Sequence, residues 1–279
     1  MLNKKSILSI VASMTLVTGL FGAKVTALKS SIAEETFQML IVNAVLEKIG
    51  HEIESSNDVN YDIAYQTIAS NADSEDVYFL ASMWDPLHNG KLKALGGDKK
   101  LVKYDKFISN CAQGYLVDKK TADKYNIKYV NDLDKPEIAK LFDSNGNGKA
   151  DLTGCSGGWG CSKVIEYQLD AFGLRDNIDH NQGSYSALIA DTIARYKTGK
   201  PIFYYTWTPY WVSGKLVPGK DVVFLQVTKS ANADGYSTKL PNGADYGFAV
   251  NNQKIVANKS CFTVMENIGN ERNLEQWSS

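Results

Sequence analysis

A strand, a helix and a second strand follow one another between Lys24 and Glu54, and that order restricts the fold more than any other feature of the sequence. Lys24 to Lys29 alternates apolar and polar residues. Ser31-Ile32-Ala33-Glu34 then has the spacing of a helix capping box. Phe37, Leu40, Ile41, Ala44, Val45 and Ile49 recur at helical period until Gly50 ends the run. His51 to Glu54 is the next strand candidate. Strand, helix, strand is a βαβ unit and implies a parallel sheet.

The alternation continues. Tyr61 to Ala69 reads as a helix and Val77 to Met83 as a buried strand. Ala187 to Lys197 is amphipathic, Gly199 and Pro201 close it, and Ile202 to Thr206 follow as a strand. Asp221 to Val227 is a further strand candidate. Spread over 279 residues, this pattern implies two α/β lobes in place of one long sheet. A net charge of −1 with no block of like charge argues against a nucleic-acid partner.

The N-terminus has a different grammar. Lys4 and Lys5 precede an apolar run, Ile7 to Phe21, that ends in Gly22-Ala23. This is the layout of a secretory signal, and the run falls short of the roughly 20 apolar residues of a membrane span. Residues 1–23 are therefore expected to direct export to the periplasm, with cleavage after Ala23 or after Ala27. Export changes the reading of the cysteines. In an oxidising compartment Cys155 and Cys161 are expected to form a local disulfide; a zinc site would need further Cys or His ligands. Cys111 and Cys261 have no evident partner.

One short pattern occurs twice. Met83-Trp84-Asp85-Pro86-Leu87 and Thr206-Trp207-Thr208-Pro209-Tyr210 both run from a strand into Trp, Asp or Thr, and Pro. Asp85 and Thr208 suit a helix N-cap, and Pro86 and Pro209 the first helical turn. Each Trp then lies at the carboxyl end of a strand, where open α/β sheets bind ligands. A third, Trp159, lies in the loop CSGGWGC, residues 155–161.

Three indole faces around one cleft form a cage for a quaternary ammonium group. Each contact contributes roughly 0.5–2 kcal/mol, so three supply at most about 6, and micromolar affinity needs about 8. A second anchor is required. The glycine-rich loop offers backbone N–H groups to an anion, and His88, four residues after Trp84, is a candidate donor to a carboxylate. A small molecule with a trimethylammonium at one end and a carboxylate at the other, a betaine, would use both.

Asp143, Asn145, Asn147 and Asp151, with Gly148 in the sixth position, match the first part of a calcium loop, although the twelfth position is Gly154 and not Glu. The segment reads either as a structural calcium site or as a polar turn. No nucleophile elbow, phosphate loop or His-Glu-x-x-His motif occurs, and His180, in a polar stretch, is expected to be exposed. The chain is accordingly read as a binding protein and not an enzyme, with no required cofactor.

At this point the residues resemble a known family. EETFQ, AQGYLVDKKTAD, GWGC, HNQG, GKPIFYYTWTPYWV and IVANK are similar to stretches of the periplasmic glycine betaine/proline betaine-binding proteins of osmoprotectant ABC importers. The resemblance runs from about Glu34 to Lys259. It implies a two-lobed type II periplasmic binding protein, α/β, with the ligand in the cleft between lobes. One lobe would comprise 24–112 and 251–279, the other 113–250. By the same resemblance Trp84, Trp159 and Trp207 box the trimethylammonium, while His88 and the backbone of Gly160 and Cys161 hold the carboxylate. Trp84 and His88 would belong to one lobe, Trp159 and Trp207 to the other. The implied partners are a small betaine and the importer's permease at the inner membrane, for a monomeric receptor. Two departures stand out: Gly157 replaces the family's usual proline, and Ser260 to Ser279 matches poorly where the family continues with helices that complete the first lobe. The competing reading is a secreted calcium-dependent carbohydrate-binding protein or polysaccharide-active enzyme, since tryptophans also stack on sugars.

Overall fold

A computed structural model describes residues 24–233 and 235–261; the export segment and the residues beyond Cys261 lie outside it. The first βαβ unit is present as β1 (Val25–Lys29), α1 (Ala33–Lys48) and β2 (Ile53–Asp58). It is followed by α2 (Tyr61–Ser70), β3 (Val77–Asp85), α3 (Asn89–Ala94) and β4 (Leu101–Cys111). The chain then crosses at Ala112 into β5 (Gln113–Asp118), α4 (Lys119–Tyr125), α5 (Pro136–Ala139), β6 (Ala150–Thr153), α6 (Gly160–Phe172) and β7 (Ile178–Asn181). There follow α7 (Tyr185–Lys197), β8 (Phe203–Trp207) and β9 (Val222–Phe224), and a long return leads to β10 (Asn251–Asn258).

The strands form two five-stranded sheets, ordered β2-β1-β3-β10-β4 and β7-β6-β8-β5-β9. In the first, β1 runs parallel to β2 and β3, and β10 pairs antiparallel with β3 and β4. In the second, β6 is parallel to β7 and β8, while β5 is antiparallel to β8 and β9. The parallel part of the first sheet is the βαβ alternation read from sequence; in the second, α7, β8 and β9 were read and β6 and β7 were not. The antiparallel strands β4, β5 and β10 have no such signal, because each joins a sheet through distant partners. β3 is buried along nearly its whole length, and Phe79, Leu80 and Met83 are each below 4% exposed. Each such side chain stabilises the fold by roughly 1.5–3 kcal/mol relative to exposure.

Several local expectations are corrected. Helix α1 has Ile32 at its N-cap with no side-chain cap, so the proposed capping box does not form. Its apolar stripe also faces outward: Phe37, Leu40 and Val45 are 65%, 52% and 58% exposed, while Glu35, Gln38, Met39 and Asn43 are buried. The period was legible, but the inner face combines Met39, Val42 and Leu46, packed against the core, with polar residues that pair. Gln38 donates to Gln253 Oε1 at 2.8 Å, Asn43 donates to Ser55 Oγ at 3.3 Å, and Glu35 accepts from three side chains described below.

Asp85 and Thr208 cap no helix. The Asp85–Pro86 and Thr208–Pro209 peptide bonds are cis, and the chain turns at both instead of entering a helix. Asp85 stays in β3, paired with Lys254 Nζ at 2.6 Å, and α3 starts only at Asn89, with His88 as its N-cap. Thr208 accepts the Ala112 N–H at 3.1 Å and so pins the crossing between the sheets. His180 is buried, not exposed: its side chain is 3% accessible.

Candidate ligand-binding site

The site is built from the carboxyl ends of strands. β3 ends at Trp84 and Asp85, and the turn after it carries Leu87 and His88. β8 ends at Trp207, and the loop after β6 carries Trp159 into the start of α6. These elements face one another across a cavity of about 300 Å³, counting its open mouth. Ile32, Tyr61, Trp84, Leu87 and His88 line it from the side of the first sheet; Gln113, Trp159, Gly160, Cys161, Tyr205 and Trp207 line it from the second. All six candidate ligand residues, Trp84, His88, Trp159, Gly160, Cys161 and Trp207, are thus brought to one cavity.

The aromatic wall is braced from behind. Trp159 and Trp207 meet edge to face, with centroids 5.5 Å apart and planes at 81°. Trp207 stacks on Tyr210 at 4.3 Å, and Tyr185 packs against both indoles while its O–H donates to the Tyr205 carbonyl at 2.7 Å. Opposite them the Trp84 Nε1–H donates to Glu35 Oε1 at 2.9 Å. Such bracing orders the indoles before a ligand arrives and so removes part of the cost of binding, about 0.5–1.5 kcal/mol per side chain.

The polar end has a defined proton inventory. The Trp84 backbone N–H points at His88 Nδ1 at 3.3 Å, and a backbone N–H can only donate. Nδ1 is therefore the acceptor, Tyr65 O–H donates to it at 2.6 Å, and the ring proton sits on Nε2. His88 is 1% exposed, and burial, with a smaller contribution from the Lys91 charge, lowers its pKa to about 3. A neutral imidazole with a fixed Nε2–H is a donor, not a general acid.

Gly160 and Cys161 open α6, a helix of 13 residues with Trp159 at its N-cap. Their N–H groups have no intrahelical acceptor and lie at the positive end of the helix dipole, the usual environment for an anion. The sequence placed these amides in a loop; the structure makes them the first residues of a helix. The loop before them is closed by the Cys155–Cys161 disulfide. It is also tied from behind: the Cys155 N–H donates to His180 Nε2 at 3.1 Å, and His180 Nδ1–H donates to Glu166 Oε1 at 2.7 Å. Gly154 is glycine because a Cβ there would lie 1.9 Å from the His180 ring.

The Asp143–Asp151 segment hydrogen-bonds its own carboxylates. Asp143 accepts the N–H groups of Asn145, Gly146 and Gly148, and these bonds, that from Gly148 most of all, hold its carboxyl below the usual range. Asp151 accepts from Ser144 and from the amides of Asn145 and Asn181. Gly146 and Gly148 have φ of 84° and 89°, as the turn requires. Among the described residues no three His, Cys, Asp or Glu side chains are grouped to hold a metal ion. Cys111 and Cys261 are free and buried.

Sequence reasoning missed Glu35, Tyr61, Tyr65, Gln113 and Tyr205. They come from four elements, Glu35 from α1, Tyr61 and Tyr65 from one face of α2, Gln113 from β5 and Tyr205 from β8, and only the two tyrosines share a helical spacing. Gln113 accepts the Tyr205 O–H at 2.6 Å across two paired strands.

Comparison with known proteins agrees with this architecture. Residues 23–262 match the family described as the substrate binding domain of ABC-type glycine betaine transport systems. The glycine betaine/proline betaine-binding periplasmic protein of Escherichia coli is 54% identical over 244 residues, which is 86% of this chain and 72% of that protein. The glycine betaine-binding periplasmic protein OusX of Dickeya dadantii is 51% identical over 265 residues, 91% of this chain and 79% of its own length. Among solved structures, the glycine betaine, L-proline ABC transporter binding protein of Borrelia burgdorferi superposes with a TM-score of 0.64 at 19% identity, covering 86% of this chain and 77% of that one. Lactococcal OpuAC, in a closed form complexed with glycine betaine, gives 0.61 at 18% identity, with 85% and 78% covered. At such identities these structures speak to the fold, which is that of the type II periplasmic binding proteins. The chain belongs to the family of substrate-binding domains of ABC-type glycine betaine transport systems. It is a substrate-binding protein of an ABC transporter and not an enzyme, and the relatives are named as periplasmic, in keeping with the export signal read at the N-terminus. Nothing in these relationships supports the carbohydrate reading.

Proposed function

We propose that the chain captures a betaine in the periplasm and delivers it to the permease of an osmoprotectant importer. Trp84, Trp159 and Trp207 enclose the trimethylammonium, and the His88 Nε2–H with the Gly160 and Cys161 N–H groups hold the carboxylate. The two sheets form the cores of two lobes, 24–112 with the strand from 251 onward, and 113–250, which close on the ligand. The receptor acts as a monomer. What supports this reading is that one cavity is lined by three tryptophans together with His88, whose ring nitrogen Nδ1 is already occupied, and the first two residues of α6. A ligand that lacks the cation or the carboxylate, such as a neutral sugar, leaves one of those groups unsatisfied.

Calorimetry with glycine betaine, proline betaine, carnitine, choline and a neutral sugar tests it. Binding of the betaines is expected, choline should be weaker for want of a carboxylate, and Trp159→Ala should lose about 2 kcal/mol or more of glycine betaine affinity. Sugar binding without betaine binding would refute the reading.

A further inference from the structure

Glu35 is 3% exposed in the first turn of α1, and no ion pair among the described residues involves it. Its Oε1 accepts the Tyr61 O–H at 2.7 Å and the Trp84 Nε1–H at 2.9 Å, and its Oε2 accepts the Ser82 O–H at 2.7 Å. Tyr61 and Trp84 are both walls of the binding cavity; Glu35 is not, and it reaches the cavity only through them. The indole N–H can only donate, so Oε1 carries no proton. A carboxylate buried without a cation is unfavourable unless several hydrogen bonds or a nearby positive charge compensate it. Burial pushes the Glu35 carboxyl up, and hydrogen bonds from Ser30, Trp84, Tyr61 and Ser82 oppose that shift.

We propose that Glu35 is a positioning residue and the counter-charge of the site, acting through Trp84 and Tyr61 to make the cavity select a quaternary cation over a neutral group of the same shape. The missing cation is supplied by the ligand. A positive group behind the Trp84 wall favours the ionised carboxylate, and the ionised carboxylate in turn binds that group more tightly. The hydrogen bond from the indole N–H also directs negative charge toward the ring whose face meets the cation. This inference rests on the betaine reading above and deepens it.

The test compares glycine betaine with tert-butylacetate, in which carbon replaces nitrogen and the charge at that end is lost. Glycine betaine is titrated by calorimetry, and tert-butylacetate is measured as a competitor that displaces it. Glu35→Gln keeps the size and most of the hydrogen bonds but removes the charge. It is expected to weaken glycine betaine by about tenfold, the scale of one cation–π contact, and to leave tert-butylacetate nearly unchanged. A purely structural role would weaken both ligands together, and an unchanged preference overturns the proposal. Should Glu35→Gln not fold, Ser82→Ala decides. It withdraws one donor from the carboxylate without touching the cavity wall, and the preference should fall in the same direction; an unchanged preference there counts against Glu35. Failure of the wild-type chain to bind glycine betaine at all would refute the betaine reading instead, so the two failures are distinguishable.

Discussion

His88 stays neutral because burial removes water from its imidazole and Lys91 adds a like charge nearby. Its folded pKa of about 3 lies below the ordinary 6.5, so between those values the unfolded chain binds a proton that the folded chain does not. Its contribution to stability is complete above pH 6.5 and is lost as the pH falls toward 3. Thermal melting at pH 7 and pH 4 should therefore show a smaller acid loss in His88→Gln than in the wild-type protein. The same shift keeps the Nε2–H donor present through neutral and mildly acid pH. Glycine betaine affinity, so far as His88 sets it, should be flat from pH 8 to pH 5, and His88→Ala should cost about 1.5–3 kcal/mol, the range for a hydrogen bond to a charged group. Isothermal titration across that range checks both. His88 shows how far residue reading reaches: four residues after Trp84, it was found from sequence, but its tautomer came only from the Tyr65 hydroxyl and the Trp84 amide.

At the scale of elements, the loop from Asp143 to Asp151 and the loop from Cys155 to Cys161 divide their tasks. The second presents an indole and two amides; the first leads the chain into β6, the strand before it, by hydrogen bonds among its own groups. Because Asp143 and Asp151 each accept several protein hydrogen bonds, addition of EDTA should change neither the melting temperature nor betaine affinity. A loss on chelation that calcium restores would assign a metal to the loop. The helices were legible in period but not always in direction. Helix α1 presents Phe37, Leu40 and Val45 to solvent and turns Glu35 and Gln38 inward, since its polar residues find partners on β3 and β10. Hydrophobic spacing reports that a helix is two-faced; it does not report which buried hydrogen bonds compete for the inner face. Likewise the two Trp-x-Pro segments were read as helix starts, and both are turns at cis peptide bonds.

At the scale of the molecule, several contacts join the two sheet units close in sequence to residues that line the cavity. The Trp211 N–H donates to Glu34 Oε1 at 2.8 Å, Lys91 Nζ reaches the Gly158 carbonyl at 3.3 Å, and Gly160 sits against Leu87. A Cβ on Gly160 would lie 2.8 Å from the branching carbon of Leu87, which cannot move as a flexible tip does. Gly160→Ala should therefore hold the walls apart. Overpacking of this kind costs about 1–3 kcal/mol, and here it should appear as betaine affinity reduced tenfold or more with the melting temperature of the unliganded protein little changed. Equal losses in both would mean that Gly160 serves folding and not closure. The sequence by itself determined the βαβ order of the first sheet, the cysteine pair of the disulfide and the place of Trp84 and Trp207 at strand ends, because period, spacing and strand-end position are local properties of the chain. Only the tertiary structure decided which face of α1 is buried, where the donor proton of His88 sits and that Glu35 lies behind Trp84, because each depends on groups that meet across distant elements.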